Sequence, residues 1–261
     1  ISKYQAENIA AKNNMQVRES ELVIFPKQNS YFLAWKVDVF DPENAAKSLR
    51  AMVDAKTGKI IDIIDLIIYE TVSGTVTGMI YPEHPAQQRI EKPFANKFVP
   101  FYNSGLDSVL NLTTNRSGEY STDQLSGMHT VEAFLDGPFV KVINEDVSAR
   151  TKVKFNMTPP EEHDWNWNES DTSDGQEESN MFYHVNLVHD YFTRDKPFNI
   201  SSMDYQIIAT VEVDDNFCNA FYDPSVGNIF FGNSQQCGNL ALMSDVIYHE
   251  YTHGVVDHVY T

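Results

Sequence analysis

A short stretch near the end of the sequence constrains this chain more than any other feature. It runs from Asp245 to Gly254 and contains His249-Glu250-x-x-His253. In a helix, residues four positions apart lie on the same face, so the two histidines can offer their imidazoles to one metal ion. Glu250 is the next residue after His249, where its carboxylate can reach a water molecule on that ion without taking a coordination position. The spacing predicts a helix that carries a zinc site.

The residues around the motif favour this prediction over a chance match. A surface helix can also carry two histidines and a glutamate. Here, apolar residues precede and follow the motif: Ala241, Leu242, Met243, Val246, Ile247, Val255 and Val256. A helix that buries two histidines among apolar side chains must satisfy their ring nitrogens, and a bound metal ion does so.

Two blocks of the sequence resemble one known family. The segment 245–257 resembles the active-site helix of thermolysin-like and fungalysin-like zinc metallopeptidases. Before it, Asn219-Ala220 followed by two aromatic residues, and then the segment 227–232, resemble the family's edge strand and hairpin. The resemblance implies a zinc-dependent endopeptidase that hydrolyses peptide bonds with a metal-activated water.

The resemblance also implies roles for individual residues. His249 and His253 would bind Zn²⁺, and Glu250 would act as the general base. Asn219 and Ala220 would lie on the edge strand that pairs with the backbone of a peptide or protein substrate.

Two aspartates near the motif have open roles. In thermolysin-like enzymes the residue that matches Asp245 binds structural Ca²⁺, but the helix dipole also favours an acidic residue at that position. Both interpretations of Asp245 stand at this point. Asp257, one turn after His253, could support the site in a role that the sequence does not define.

A catalytic zinc needs more ligands than the motif supplies, because such sites use three protein ligands and one open position. The resemblance places the third ligand, a glutamate, and an oxyanion-stabilising histidine on later helices, which would lie beyond Thr261. We therefore expect the C-terminal half of the catalytic domain to be a partner that this chain lacks, and the chain alone to be inactive.

Charge limits the classes of partner. The sequence has 19 Lys and Arg against 37 Asp and Glu, a net charge of −18. Such an excess of negative charge disfavours binding to nucleic acid or to anionic lipid. No apolar run approaches the ~20 residues that a membrane span needs. Composition favours a soluble, extracellular protein and is compatible with calcium binding.

The two cysteines bracket the hairpin that resembles the family. A metal or thiol site is one interpretation of Cys218 and Cys237, but the two residues lack the Cys-x-x-Cys spacing that would support it. We favour a disulfide that closes this loop, worth ~3 kcal/mol by loop-closure entropy. A disulfide predicts an oxidising compartment and hence a secreted protein.

Strand and helix patterns predict an α+β chain of three parts. Residues 1–70 predict a small α+β unit whose final hairpin resembles a PepSY propeptide module. Residues 71–157 predict an all-β sandwich that resembles carboxypeptidase-regulatory-like domains, with Gly74 and Gly78 at bulges or close contacts. Residues 158–261 predict the β-rich N-terminal part of a thermolysin-like catalytic domain, entered through an acidic linker at 158–178.

Two other functions remain open beside the peptidase. The chain could be a non-catalytic binding or adhesion module that kept the motif as a structural metal site. It could also be an inhibitory, propeptide-bearing fragment that acts on the rest of the enzyme.

Overall fold

The computed structural model describes residues 1–12, 14–42, 44–66, 71–146, 151–167, 175–194, 198–213 and 217–260. The chain forms two compact units. The first contains residues 1–71 together with 123–127 and 158–160, and the second contains 72–122, 128–157 and 161–261.

The first unit is one helix on a four-stranded antiparallel sheet in the order β1-β2-β3-β4. Its elements are α1 (Lys3–Ala10), β1 (Gln16–Lys27), β2 (Ser30–Asp41), β3 (Asn44–Asp54) and β4 (Ile60–Asp65). Ser2 begins the helix through a capping box with Gln5. The core lies between helix and sheet and consists of Ala6, Val37, Val39, Ala51 and Val53.

Local turns set the order of these four strands. Lys27 pairs with Ser30, so β1 and β2 are joined by a two-residue turn. The carboxylate of Asp54 accepts hydrogen bonds from the backbone of Lys56 and Thr57, which forms the turn before β4. The unit is α+β and ends in the hairpin of β3 and β4, where the sequence predicts a final hairpin. The identity of the unit as a PepSY module stays a prediction.

The second unit contains three sheets and two longer helices. Its first strands are β5 (Val72–Ile80), β6 (Ile90–Pro93), β7 (Phe98–Tyr102), β8 (Ser108–Thr113), β9 (Glu119–Thr122), β10 (His129–Ala133), β11 (Val140–Asn144) and β12 (Val153–Met157). The later elements are β13 (Glu161–Glu162), β14 (Trp165–Asn166), α2 (Gln176–Thr193), β15 (Ile207–Val213), β16 (Ala220–Asp223), β17 (Asn228–Ser234), β18 (Gly238–Asn239) and α3 (Ser244–Tyr260). Two 3-10 turns, Ser201–Met203 and Leu240–Leu242, precede β15 and α3.

The structure does not divide where the sequence predicted a linker. Within the expected linker at 158–178, β13 and β14 form short parallel pairings with β5, and residues 168–174 lie outside the described ranges. Trp165 and Trp167 are buried in the same segment. A Cβ added to Gly74 would lie 2.0 Å from the carbonyl oxygen of His163, so the glycine permits this close approach, as predicted.

A second sheet also crosses the expected boundary at residue 157. Its strand order is β11-β15-β17-β16, with β18 paired to β17. Strand β11 belongs to the segment predicted as a separate sandwich, yet it pairs in parallel with β15. Side-chain alternation identifies a strand but not its distant partner, which is why 71–157 and 158–261 looked like two domains. The remaining sheet has the order β12-β10-β7-β8.

None of the helices in the described ranges combines the length and the hydropathy of a membrane span.

Candidate active site

Helix α3 presents the motif because its apolar face is turned inward. Three residues at helical spacing are buried: Ile247, Tyr251 and Val255. They pack one side of α3 into the interior of the second unit. His249 and His253 lie on the exposed side of the helix. The apolar flanks of the motif thus anchor the helix, while the two histidines remain accessible to a ligand.

The two histidines are arranged as a metal would require. Their Nε2 atoms are 3.0 Å apart, and their rings are nearly perpendicular, with an interplanar angle of 87°. Two nitrogens bound to one tetrahedral zinc at the usual bond length are about 3.3 Å apart. The donor pair therefore fits zinc without a change in the helix.

Glu250 completes the cluster from the buried side. Its side chain is only 7% exposed, and the ligand atoms of His249, Glu250 and His253 all lie within 4.8 Å of one another. Within the described ranges, this is the one group of three or more His, Cys, Asp or Glu side chains placed to hold a metal ion.

A groove of about 580 Å³ runs along this face of the helix. One wall is the segment from Asn219 to Tyr222 with Pro224, and the other is α3. The α3 wall consists of His249, Glu250, His253, Val256, Asp257 and Tyr260. The predicted metal-binding, general-base and substrate-binding residues thus line one cavity.

The backbone of β16 is open on the groove side. Strand β16 is the last strand of its sheet in the described chain and pairs only with β17. The amide of Gly232 donates to the carbonyl of Asn219, and the next opposed pair is Ala220 with Phe231. Hydrogen-bonded and non-hydrogen-bonded pairs alternate in an antiparallel ladder, so the N–H and C=O of Ala220 point away from β17. These groups are free to pair with an added strand.

The predicted disulfide is present. Cys218 is bonded to Cys237, with their Cα atoms 5.7 Å apart, and it closes the loop that contains β16 and β17. A Cβ on Gly232 would lie 1.9 Å from the carbonyl oxygen of Phe217, so this glycine allows the strand to pass close to the residue before Cys218. The disulfide therefore joins the two ends of the segment that contains β16 and β17.

Helix α2 supports α3 from behind through two polar residues. Asn180 is fully buried and donates to the carbonyl of Ala241, in the turn before α3. His184 contacts the carbonyl of Tyr81 through Nε2 at 2.8 Å and the hydroxyl of Tyr248 through Nδ1 at 2.7 Å. A carbonyl can only accept, so Nε2 carries the proton and Nδ1 accepts from Tyr248.

Burial keeps His184 neutral, because it lowers the pKa of the imidazole to about 4. Burial also raises the pKa of the Tyr248 hydroxyl to about 12, so this group stays a donor. Tyr248 directly precedes His249, and the contact therefore fixes the start of the motif. No local pattern in the sequence indicates this partner for His184.

Asp245 lies outside the cluster. It is exposed in the first turn of α3, and its carboxylate accepts from the backbone amide of Val246. Within the described residues, Asp245 belongs to no group of three or more His, Cys, Asp or Glu side chains that could hold a metal ion. The geometry matches the helix-dipole interpretation, and the calcium role of Asp245 stays a prediction.

The structure adds one contact that the sequence left undefined. The hydroxyl of Tyr222 donates to Asp257 Oδ2 at 3.0 Å, across the groove from β16 to α3. The two residues are 35 positions apart. No local pattern links them, although both lie in the blocks that resemble the family.

Comparison with known proteins agrees with this geometry. The family model for the thermolysin metallopeptidase catalytic domain matches residues 104–257, which is more than half of the chain. The match begins inside the segment that the sequence predicted as a separate sandwich, as the strand pairing across residue 157 would require. A comparison with curated proteins found no match. The fold around α3 and the match together show that the chain belongs to the thermolysin metallopeptidase family, the class of zinc metalloendopeptidases.

Proposed function

We propose that the groove between β16 and α3 is the catalytic cleft of a zinc endopeptidase in which Glu250 is the general base. The observation that carries this proposal is the cluster of His249, Glu250 and His253 on one wall, opposite an open strand edge. A structural metal site would need no such edge and no buried carboxylate beside the two imidazoles.

His249 and His253 would hold the zinc, which lowers the pKa of its water toward ~7 and polarises the substrate carbonyl. Glu250 then accepts a proton from the attacking water and delivers it to the departing amide nitrogen. Peptide and water give one carboxylate and one amine. The burial of Glu250 aims its carboxylate at the histidines and limits competing solvent.

The substrate would bind as an added strand. The N–H and C=O of Ala220 point away from β17, so a peptide backbone can pair there regardless of its side chains. Asn219 lines the same groove and offers a side-chain amide beside that edge. The substrate class is therefore extended peptide or unfolded protein.

We further propose a secreted enzyme that carries its own folding module. The Cys218–Cys237 disulfide supports an oxidising compartment. The α+β unit at 1–70 would act as a PepSY-like propeptide, and a C-terminal half of the catalytic domain would supply the third zinc ligand. Calcium at Asp245 would need further ligands from that half.

The test is the isosteric substitution Glu250→Gln, made in the longest natural chain that contains these residues. We expect zinc binding to persist while kcat for casein falls at least about a hundredfold, because the proton acceptor is lost. The matched control is Glu162→Gln, which removes an exposed carboxylate that does not line the groove. If activity survives Glu250→Gln, the peptidase mechanism is wrong.

The two other functions predict different outcomes of the same work. A non-catalytic binding module would bind zinc without hydrolysing casein in any of these chains. An inhibitory fragment would change the activity or the refolding yield of mature enzyme when this chain is added in trans.

A further inference from the structure

The contact between Tyr222 and Asp257 connects the two walls of the groove. Tyr222 lies in β16, two residues after Ala220, and therefore on the same side of the strand. Asp257 lies one turn after His253 on α3. The hydrogen bond of 3.0 Å between them spans the cleft near the proposed metal ligands.

A second contact holds the same ring against the helix. Gly254 follows His253, and a Cβ added there would lie 3.1 Å from Cε2 of Tyr222. The aromatic ring thus packs on the helix backbone at a position where a larger residue would push it outward. A glycine inside a helix is destabilising relative to alanine, and the packing of the ring helps to offset this cost.

The hydroxyl of Tyr222 remains a donor at all working pH values. Burial, followed by the hydrogen bond to Asp257, raises the pKa of this phenol far above its usual range. Tyr205, in the segment between the 3-10 turn and β15, forms a side-chain hydrogen bond with Tyr222 and stacks on His258, with the ring centroids 4.9 Å apart. It adds a further contact at the same end of α3. The last turns of α3 are therefore joined to β16 by aromatic and polar contacts rather than by apolar burial alone.

We propose that Tyr222 and Asp257 are a positioning pair that sets the distance between the substrate edge of β16 and the His249–His253 face of α3. This inference rests on the proposed function, because it concerns the same cleft. Tyr222 acts through Ala220, and Asp257 acts through the helix that carries His253. A displacement of about 1 Å between reacting groups can cost about a hundredfold in rate, so a loosened strand should reduce turnover without releasing the metal.

The test compares Tyr222→Phe, Asp257→Ala and Asp257→Asn in the longest natural chain. Tyr222→Phe removes the donor but keeps the ring on Gly254, and Asp257→Ala removes the acceptor. Both should lower kcat/KM for peptides about tenfold, with zinc affinity unchanged. Asp257→Asn keeps an acceptor oxygen and should restore most of the activity. The double variant Tyr222→Phe/Asp257→Ala should lose less activity than the product of the two single losses, because each single variant already breaks the bond between these side chains.

A readout that needs no activity is amide hydrogen exchange in the metal-free chain. The two β16 amides that face β17, those of Phe221 and Asp223, should exchange about tenfold faster in Tyr222→Phe and Asp257→Ala, and at nearly the native rate in Asp257→Asn. Native exchange and native kcat/KM in the first two variants would overturn the inference. So would a loss of zinc affinity in them, or equal losses in Asp257→Asn and Asp257→Ala.

The outcome also separates this inference from the proposed function. If Glu250→Gln abolishes hydrolysis while Tyr222→Phe does not change it, only the positioning role fails. If hydrolysis survives Glu250→Gln, the proposed function fails, and the exchange rates of the Phe221 and Asp223 amides still decide whether the pair holds the strand.

Discussion

The two units of this chain differ in how far apart in sequence their contacting partners lie. In the first unit every strand pairs with its neighbour in the sequence, from β1 to β4. In the second unit, β11 pairs with β15 and β13 pairs with β5, across long intervening segments. In the first unit, short turns determine which strands pair. In the second unit, the pairing depends on close approaches and polar contacts between residues that are distant in the sequence.

The surroundings of the candidate site depend on contacts of the second kind, between distant residues. His184 on α2 contacts Tyr248 on α3, which is 64 positions away. The two walls of the groove come from the β16 hairpin and from α3. We therefore expect changes at single long-range contacts in the second unit to cost more than the loss of a pair in the first.

The largest expected effect is at Gly74. In Gly74→Ala the new Cβ would lie 2.0 Å from the carbonyl oxygen of His163, and a backbone atom cannot move aside as a side chain can. The second unit should lose about 3 kcal/mol or more in free energy of unfolding, measured by denaturant titration. Gly238→Ala is the control. Nothing lies within 4 Å of its added Cβ, so only its left-handed backbone, at φ 69°, should cost about 1 kcal/mol. Equal losses in the free energy of unfolding for Gly74→Ala and Gly238→Ala would show that the close approach at Gly74 contributes nothing beyond a local backbone effect.

A smaller effect is expected at His184. In His184→Phe the carbonyl of Tyr81 and the hydroxyl of Tyr248 lose this partner, at a cost of about 2 kcal/mol at pH 7. Tyr248→Phe is the matched variant that removes only one of the two bonds, and it should cost less.

The pH dependence of stability gives an independent check on His184. The folded pKa of about 4 lies below the ordinary value of 6.5, so the unfolded chain binds more protons between these values. Native stability should therefore fall as the pH drops from 6.5 toward 4, by up to about 3 kcal/mol. His184→Phe should lack this component of the fall. An identical acid profile in both proteins would show that the imidazole is not buried neutral.

The smallest effect is expected in the first unit. Arg50 forms two hydrogen bonds of 2.8 Å with Asp38, and these hold the pKa of that carboxyl below its usual range. Arg50→Met should cost about 1 kcal/mol, because the side chain of Arg50 is partly exposed and solvent screens the charge left on Asp38.

The stability lost in Arg50→Met should be confined to the first unit, which distinguishes the two units. The contribution of the Arg50–Asp38 pair is present above pH 4 and is lost as the pH falls through the lowered pKa of Asp38. Hydrogen exchange should show the loss in β2 and β3 and not in β15 or β17. Faster exchange in β15 would mean that the units do not respond separately.

Sequence patterns predicted the features that depend on residues close together in the chain. The spacing of His249 and His253 placed both imidazoles on one face, and the pattern of residues 1–70 predicted a small α+β unit that ends in a hairpin. A chain with only two cysteines left one intramolecular pairing. Such features are encoded within a few residues of each other.

The rest of the site depends on partners that no local pattern specifies. Trp165 and Trp167 lie in a segment whose acidic composition suggested a linker, although both are buried beside β5. The bond between Tyr222 and Asp257 and the role of His184 follow from the pairing of distant strands and helices. A family resemblance supplied roles for Asn219 and Ala220, but the direction of their backbone groups required the register of β16 with β17.

The measurement that tests the central claim most directly is zinc-edge anomalous diffraction from crystals grown with the ion. The account predicts one strong peak about 2.0–2.1 Å from the Nε2 atoms of both His249 and His253. A second prediction of the same map is that Glu250 lies beside the peak without binding it directly. Imidazoles turned away from each other, with no peak between them, would contradict the account.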